Sequence, residues 1–171
     1  MSHSFDPIDN TSNNEHFQEV LKSAPMGLFM WNGLVVCTGI LIVQVLVAIP
    51  AAYALAKLPF KGSEGLFMGI LVALSVPIQV TALPLYMGLS LAGWLNSYFA
   101  QMVPFFLSMF AIFLLRQHFK TFPDEIIHAA RIDGMTEWEI MWKLVVPSAR
   151  PALAAFAVFS VVAHWNDLYW P

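Results

Sequence analysis

Charge is the scarcest property of this sequence. Charged side chains make up 11% of its 171 residues, against roughly 25% in soluble domains. They are absent altogether from Ser23 to Ala56 and from Gly65 to Leu115. A membrane-spanning helix needs about 20 apolar residues, so the first run holds one span and the second holds two. A shorter uncharged run, Pro151 to Asn166, begins a fourth. The expected fold class is therefore all-α: a polytopic membrane helix bundle of about four transmembrane helices, near Leu34–Ala56, Leu66–Leu89, Ser97–Leu115 and Ser148–Tyr169. Cysteine is almost missing too. Cys37 stands alone, which excludes an intrachain disulfide. No Gly-x-Ser-x-Gly nucleophile motif occurs, and no phosphate-binding loop of the Gly-x4-Gly-Lys-Ser/Thr type. Residues 1–22 carry acids where a cleavable signal peptide would carry a basic start.

The few basic residues are unevenly placed. Lys57 and Lys61 fall in one loop, Arg116, Lys120, Arg131, Lys143 and Arg150 in another, and only Lys22 lies elsewhere. The turn near Gly93–Asn96 has none. The positive-inside rule puts residues 57–64 and 116–150 in the cytoplasm, with both chain ends on the other side. The organisation expected is an extracytoplasmic segment over 1–25, then a transmembrane region over 26–171 carrying a cytoplasmic loop at 116–150.

That loop holds the longest charged stretch, PDEIIHAARIDGMTEWEIMWKLVVP from Pro123 to Pro147. It reads as two short helices joined by a sharp turn. Thr121 is a candidate N-cap and Pro123 suits the first turn, with Asp124 and Glu125 at the positive end of the helix dipole. Asp133-Gly134 ends the first helix, because glycine enters the left-handed conformation without a Cβ penalty. Thr136 and Glu139 form a capping box for the second helix. Trp138, Met141, Trp142 and Val145 give that helix an apolar face, and Glu139 and Lys143 an i, i+4 ion pair.

Within the spans, polar residues and prolines mark candidate positions on a permeation path. Gln44 sits near the middle of the first span, where a polar side chain faces other helices or a cavity; a bond to a neighbouring helix and a solute contact are both open. Ala48, Ala52 and Ala56 form a small-residue face for close helix approach. In the second span Pro77 and Pro84 break the hydrogen-bond ladder beside Ser75, Gln79 and Thr81. Such breaks are tolerated where protein or a water-filled cavity satisfies the freed backbone, so the segment either lines a path or is kinked for packing.

The loop resembles the cytoplasmic coupling loop of permease subunits from binding-protein-dependent ABC importers. That family's pattern is Glu-Ala-Ala, three residues, Gly, nine residues, then Ile-x-Leu-Pro. Here it reads His128-Ala129-Ala130, Gly134 and Leu144-Val145-Val146-Pro147, with every spacing kept and His128 at the glutamate position. Ala51-Ala52-Tyr53-Ala54 before Lys61, Leu115-Arg116-Gln117 and Trp165-Asn166-Asp167 resemble the carbohydrate-type members, covering the chain from about residue 17 onwards. The resemblance implies a permease subunit for a sugar or related solute, docked to a separate ATP-binding cassette subunit through Asp124, Glu125, His128, Ala129, Ala130, Arg131, Asp133, Gly134, Leu144 and Pro147. It implies a second permease subunit, an extracytoplasmic solute-binding protein and an inner-membrane location, with no nucleic acid. No cofactor or catalytic residue is expected, ATP being bound by the partner. Such permeases usually have six spans, and this sequence matches the middle four, as a fragment of a gene would.

Two alternatives remain beside that reading. One is an importer of glycerol phosphate or another polar solute. The other is an integral membrane enzyme using His118, His128 and His164, against which the topology puts His164 on the opposite membrane face. A metal shared by Asp124 and His128 lacks a third ligand in register, since Arg131 and Ile132 occupy the next turn.

Overall fold

The structure, a computed structural model, describes residues 26–95 and 97–165. The N-terminal segment, Asn166 and Asp167 lie outside the described residues, as does the side chain of Gln79. The chain divides into two compact units, 1–35 and 36–171. Of the first, only residues 26–35 are described, and Leu28, Met30, Trp31 and Leu34 there are exposed.

All regular structure among the described residues is helical. Helix α1 spans Met26–Lys57 and runs through Pro50. It begins earlier than the expected span, and the part apolar enough to cross a membrane is Met30–Lys57. Cys37, Ile40, Gln44, Ala48 and Ala52 are buried along one stripe at spacings of three and four, the spacing of a single helix face. The alanines of that stripe lie in the second unit's core with Ala111, Ile112 and Leu115.

The expected second span is broken into α2, Ser63–Leu74, and α3, Ile78–Leu91. The break falls at Pro77, which has no N–H to continue the ladder and disfavours helical geometry in the residue before it. Pro84 lies inside α3 without ending it. The Ser75 hydroxyl donates back to the Leu71 carbonyl at 3.2 Å. Gly93, at φ +71°, makes the turn that follows.

The third span also differs from a single helix over Ser97–Leu115. It consists of α4, Tyr98–Met102, a 3-10 turn at Val103–Phe105, and α5, Met109–Lys120, with the two halves bent by 40°. Pro104 sits in the 3-10 turn, and the break comes after it, where Ser108 caps α5 by accepting from the Ala111 N–H at 3.2 Å. Serine at an N-cap satisfies one of the helix's orphan donors. The last segment comprises α6, Asp124–Ile132, α7, Glu137–Ser148, and α8, Arg150–Trp165. The bend between α7 and α8 is 76°, so the fourth apolar helix starts at Arg150 and not at Ser148.

By length and composition α1 alone crosses a membrane as one unbroken helix among the described residues, and three crossings result if each bent pair counts as one. Leu66, Met68, Val72, Val80, Leu83, Met87 and Leu91 are exposed along α2 and α3. The core of the second unit gathers near the Lys57 end of α1, where Tyr53, Leu115, Phe119, Ile127, Ile140 and Val145 are buried together.

Candidate functional site

The loop joining α5 to α8 is built by local signals. Thr121 does not cap α6: it closes α5, and its hydroxyl donates to the His118 carbonyl at 2.7 Å. Pro123 takes the N-cap position instead, extended at φ −62°, ψ 128°, with no side-chain bond. Proline fixes φ near this value and forces Phe122 out of helical geometry, so α6 starts at Asp124. Asp124 and Glu125 stand in its first turn.

At the other end Gly134 adopts φ +82°. The Met135 N–H donates to the Ala130 carbonyl at 3.0 Å and the Gly134 N–H to the Arg131 carbonyl at 3.1 Å. These are the two bonds of a Schellman motif, which satisfies the last carbonyls of a helix around a left-handed residue. Thr136 and Glu139 then form the reciprocal capping box of α7. Lys143 donates to Glu139 at 2.8 Å, and that bond first, then those from Thr136, hold the Glu139 carboxyl down to about 2.

The apolar face expected of α7 is buried at Met141 and Val145 and half-buried at Trp142, but not at Trp138. Ile140, Met141 and Val145 are buried, whereas Trp138 is 62% exposed and packs edge-on against Trp142 at 5.8 Å. Met141–Val145 form a π-helical turn. A π turn carries more residues than an α turn, so Ile140 and Val145, five residues apart, share the buried face. Leu144 and Pro147 are half-buried.

Burial separates the expected docking residues. Ala130 is buried with Ile127 in the core and is not a surface residue. Glu125, His128, Ala129, Asp133 and Gly134 are exposed, and Arg131 is half-buried. Ile126 and Ile132 are exposed as well, Ile132 by 86%. Ile126, Ala129 and Ile132 recur every third residue, so α6 presents an apolar strip outward. Ile126 and Ile132 were not among the expected docking residues, although their i, i+6 spacing around Ala129 is a signal for them.

Side chains from α1 hold α6 from behind. Lys57 Nζ donates to the Phe122 carbonyl at 2.7 Å and to Asp124 Oδ1 at 2.6 Å. The hydrogen bond from Lys57 holds the Asp124 carboxyl below its ordinary range. Tyr53 donates to Glu137 Oε2 at 2.6 Å, and Arg131 Nε donates to Glu137 Oε1 at 2.6 Å. That second bond raises the Arg131 guanidinium above its ordinary value. A cleft of 310 Å³ opens beside the Lys57 attachment, lined by Ala56, Lys57, Leu58, Pro59, Asp124, Ile127, His128 and Arg131. Arg116, only 2% exposed, sits over the Phe67 ring at 3.6 Å and donates to the Leu55 carbonyl and to Glu64. The contacts of Tyr53, Lys57 and Arg116 were not legible in the sequence, since these partners lie 52 to 84 residues away.

The expected path residues differ in burial. Gln44 is buried: its amide donates to the Phe105 carbonyl at 2.7 Å and accepts from the Ser160 hydroxyl at 2.7 Å. His164 Nδ1 lies 2.7 Å from the Ser160 carbonyl. Ser75, Pro77 and Thr81 are exposed on the broken α2–α3 segment.

Residues 44–171 match the family described as "binding-protein-dependent transport system inner membrane component". The chain belongs to this family. It is 34% identical over 149 residues to the sn-glycerol-3-phosphate transport system permease protein UgpE of Yersinia enterocolitica, covering 87% of this chain and 53% of that one. Identity to the arabinooligosaccharides transport system permease protein AraQ of Halalkalibacterium halodurans is 35% over 170 residues, 98% of this chain and 60% of that one. Among solved structures it is similar to a bacterial ABC transporter involved in the import of the acidic polysaccharide alginate, with TM-score 0.70 and 26% identity, covering 80% of this chain and 48% of that one. The chain thus spans between half and two thirds of the length of these curated relatives.

Proposed function

We propose that the chain is part of the transmembrane permease subunit of an ABC importer, forming a portion of the translocation path for a sugar or related solute. The observation that carries this reading is the loop 121–147. Its first helix is stopped by a left-handed Gly134, backed by α1, and faces outward with Ile126, Ala129 and Ile132. An exposed apolar strip on a charged loop suits burial in a partner's groove. The partner is a separate ATP-binding cassette subunit, and the expected assembly adds a second permease subunit and an extracytoplasmic solute-binding protein.

The proposed arrangement has four spans, the broken α2–α3 pair counting as one, with both chain ends outside and residues 57–64 and 116–150 in the cytoplasm. Five basic residues in the longer loop and two in the shorter support this orientation. Cysteines introduced at Ser63 and Gly134 should resist impermeant thiol reagents applied outside intact cells, and one at Ser12 should react. The reverse pattern overturns the orientation.

Glycerol phosphate is the second solute reading, favoured by the likeness to UgpE. A phosphate calls for cations along the path. Lys57 and Arg116 instead lie at the loop end of their helices and are engaged by Asp124 and Glu64, which favours a neutral solute. Uptake of a labelled neutral oligosaccharide and of labelled glycerol 3-phosphate by membranes holding the assembled complex separates the two.

A further inference from the structure

We propose that Tyr53 and Lys57 are positioning residues that lock α6 to the end of α1, so that displacement of the loop by its ATP-binding partner is passed directly to the first span. The inference rests on the docking reading above and goes beyond it by naming the helix that takes up the motion.

Tyr53 and Lys57 are four residues apart and therefore neighbours on one face of α1. They reach α6 at opposite ends. Lys57 holds its start, through the Phe122 carbonyl and Asp124. Tyr53 holds its finish, through Glu137, whose other oxygen accepts from Arg131 in the last turn. A nine-residue helix is roughly 13 Å long, so the two attachments are a helix length apart. One bond would leave α6 free to pivot, whereas two separated bonds fix its direction.

The alternative is that apolar packing alone does this work. Ile127 and Ala130 are buried beneath α6, but hydrophobic contact is non-directional and resists separation more than sliding. The four bonds, each 2.6–2.7 Å, are directional, and the Lys57 side chain is only 4% exposed. Lys57 makes its bonds there and not as a solvated surface charge.

Along α1, nine residues beyond Tyr53, Gln44 bonds to Phe105 at the break between α4 and α5 and to Ser160 on α8. A shift of α1 along its axis must move or break these bonds. The covalent connections of α6 lead only to α5 and α7, so the clamp gives the loop a separate route into α1.

The test uses the membrane-embedded protein assembled with its co-expressed ATP-binding subunit, and ATP as the only added probe. Nitroxide labels at Leu46 and Val158, both exposed, report the α1–α8 distance in a Cys37→Ala background. In the unmodified clamp, ATP should shift this distance. In the double variant Tyr53→Phe, Lys57→Met the shift should fall by more than half while the ATP-binding subunit stays bound. Lys57→Arg, which keeps N–H donors for both the Phe122 carbonyl and Asp124, should retain more of the shift than Lys57→Met alone. An undiminished shift in the double variant overturns the proposal. So does loss of the ATP-binding subunit from it, since the residues would then shape the docking surface and not transmit through it. If the unmodified chain retains no ATP-binding subunit, the docking reading fails, and the clamp falls with it.

Discussion

The Gln44 amide ties three elements together, and removing it gives a measurable energy. Gln44 is 4% exposed, and Ser160 likewise 4%. Its nitrogen serves the Phe105 carbonyl, next to the break that separates α4 from α5, and its oxygen serves the Ser160 hydroxyl. In water-excluded surroundings an abandoned polar group costs about 1–3 kcal/mol. Side-chain bonds between membrane helices average only about 0.6 kcal/mol and reach about 1.7, because the unfolded chain also finds partners. Gln44→Ala should therefore destabilise by about 1–3 kcal/mol, and Ser160→Ala by about 0.6–1.7 kcal/mol. The double variant should lose less than the sum, with a coupling of about 0.6–1.7 kcal/mol in a double-mutant cycle. Equilibrium unfolding in mixed micelles measures all four corners. Additivity within about 0.3 kcal/mol would refute the bond and return Gln44 to the solute-contact reading.

Gly134→Val should cost about 1–2 kcal/mol from the left-handed backbone. No atom within 4 Å would meet the added Cβ, so the loss is conformational, and both loop stability and retention of the ATP-binding subunit should fall. Arg116→Met should lower stability by about 1–3 kcal/mol through the lost bond to the Leu55 carbonyl, and Arg116→Lys should not restore it, since lysine lacks the planar fork that bonds backbone and carboxylate together. Thermal unfolding compares the three. The Lys57–Asp124 link should weaken in acid. Because Lys57 lowers the Asp124 value in the folded chain, its contribution is complete above the ordinary 3.8 and is lost as pH falls through the lower folded value. A carbon-detected titration of Asp124 should give a midpoint below 3.8, rising toward 3.8 in Lys57→Met.

Sequence revealed the local features and missed the long-range ones. The Gly134 turn and the Thr136–Glu139 box were legible because each depends on residues within one helical turn. Thr121 was misplaced for a related reason: two helix ends lie three residues apart, and a threonine between them serves either. On α7 the 3.6-residue pattern found Met141 and Val145 but not Ile140, which shares the buried face because the stretch that follows it becomes π-helical. The break before Pro77 followed from proline chemistry, whereas the break at Phe106–Ser108 did not coincide with Pro104 and depends on the cap at Ser108. Ala129 and Ala130 look equivalent in the motif, and only the side of α6 that meets the core separates them. The clamp from Tyr53 and Lys57 was invisible, since no local pattern announces a partner 65 or more residues away.

The most direct test of the account is photocrosslinking from the outward strip of α6 in native membranes. A photoreactive residue at Ala129 or Ile132, both exposed, should crosslink to an ATP-binding subunit that mass spectrometry identifies by its nucleotide-binding motif. The same residue at Val158, exposed on the apolar α8, should give no crosslink to the ATP-binding subunit. Crosslinks from Val158 equal to those from Ala129 and Ile132, or none from either loop position, would contradict the claim that this loop is where the ATP-binding subunit docks.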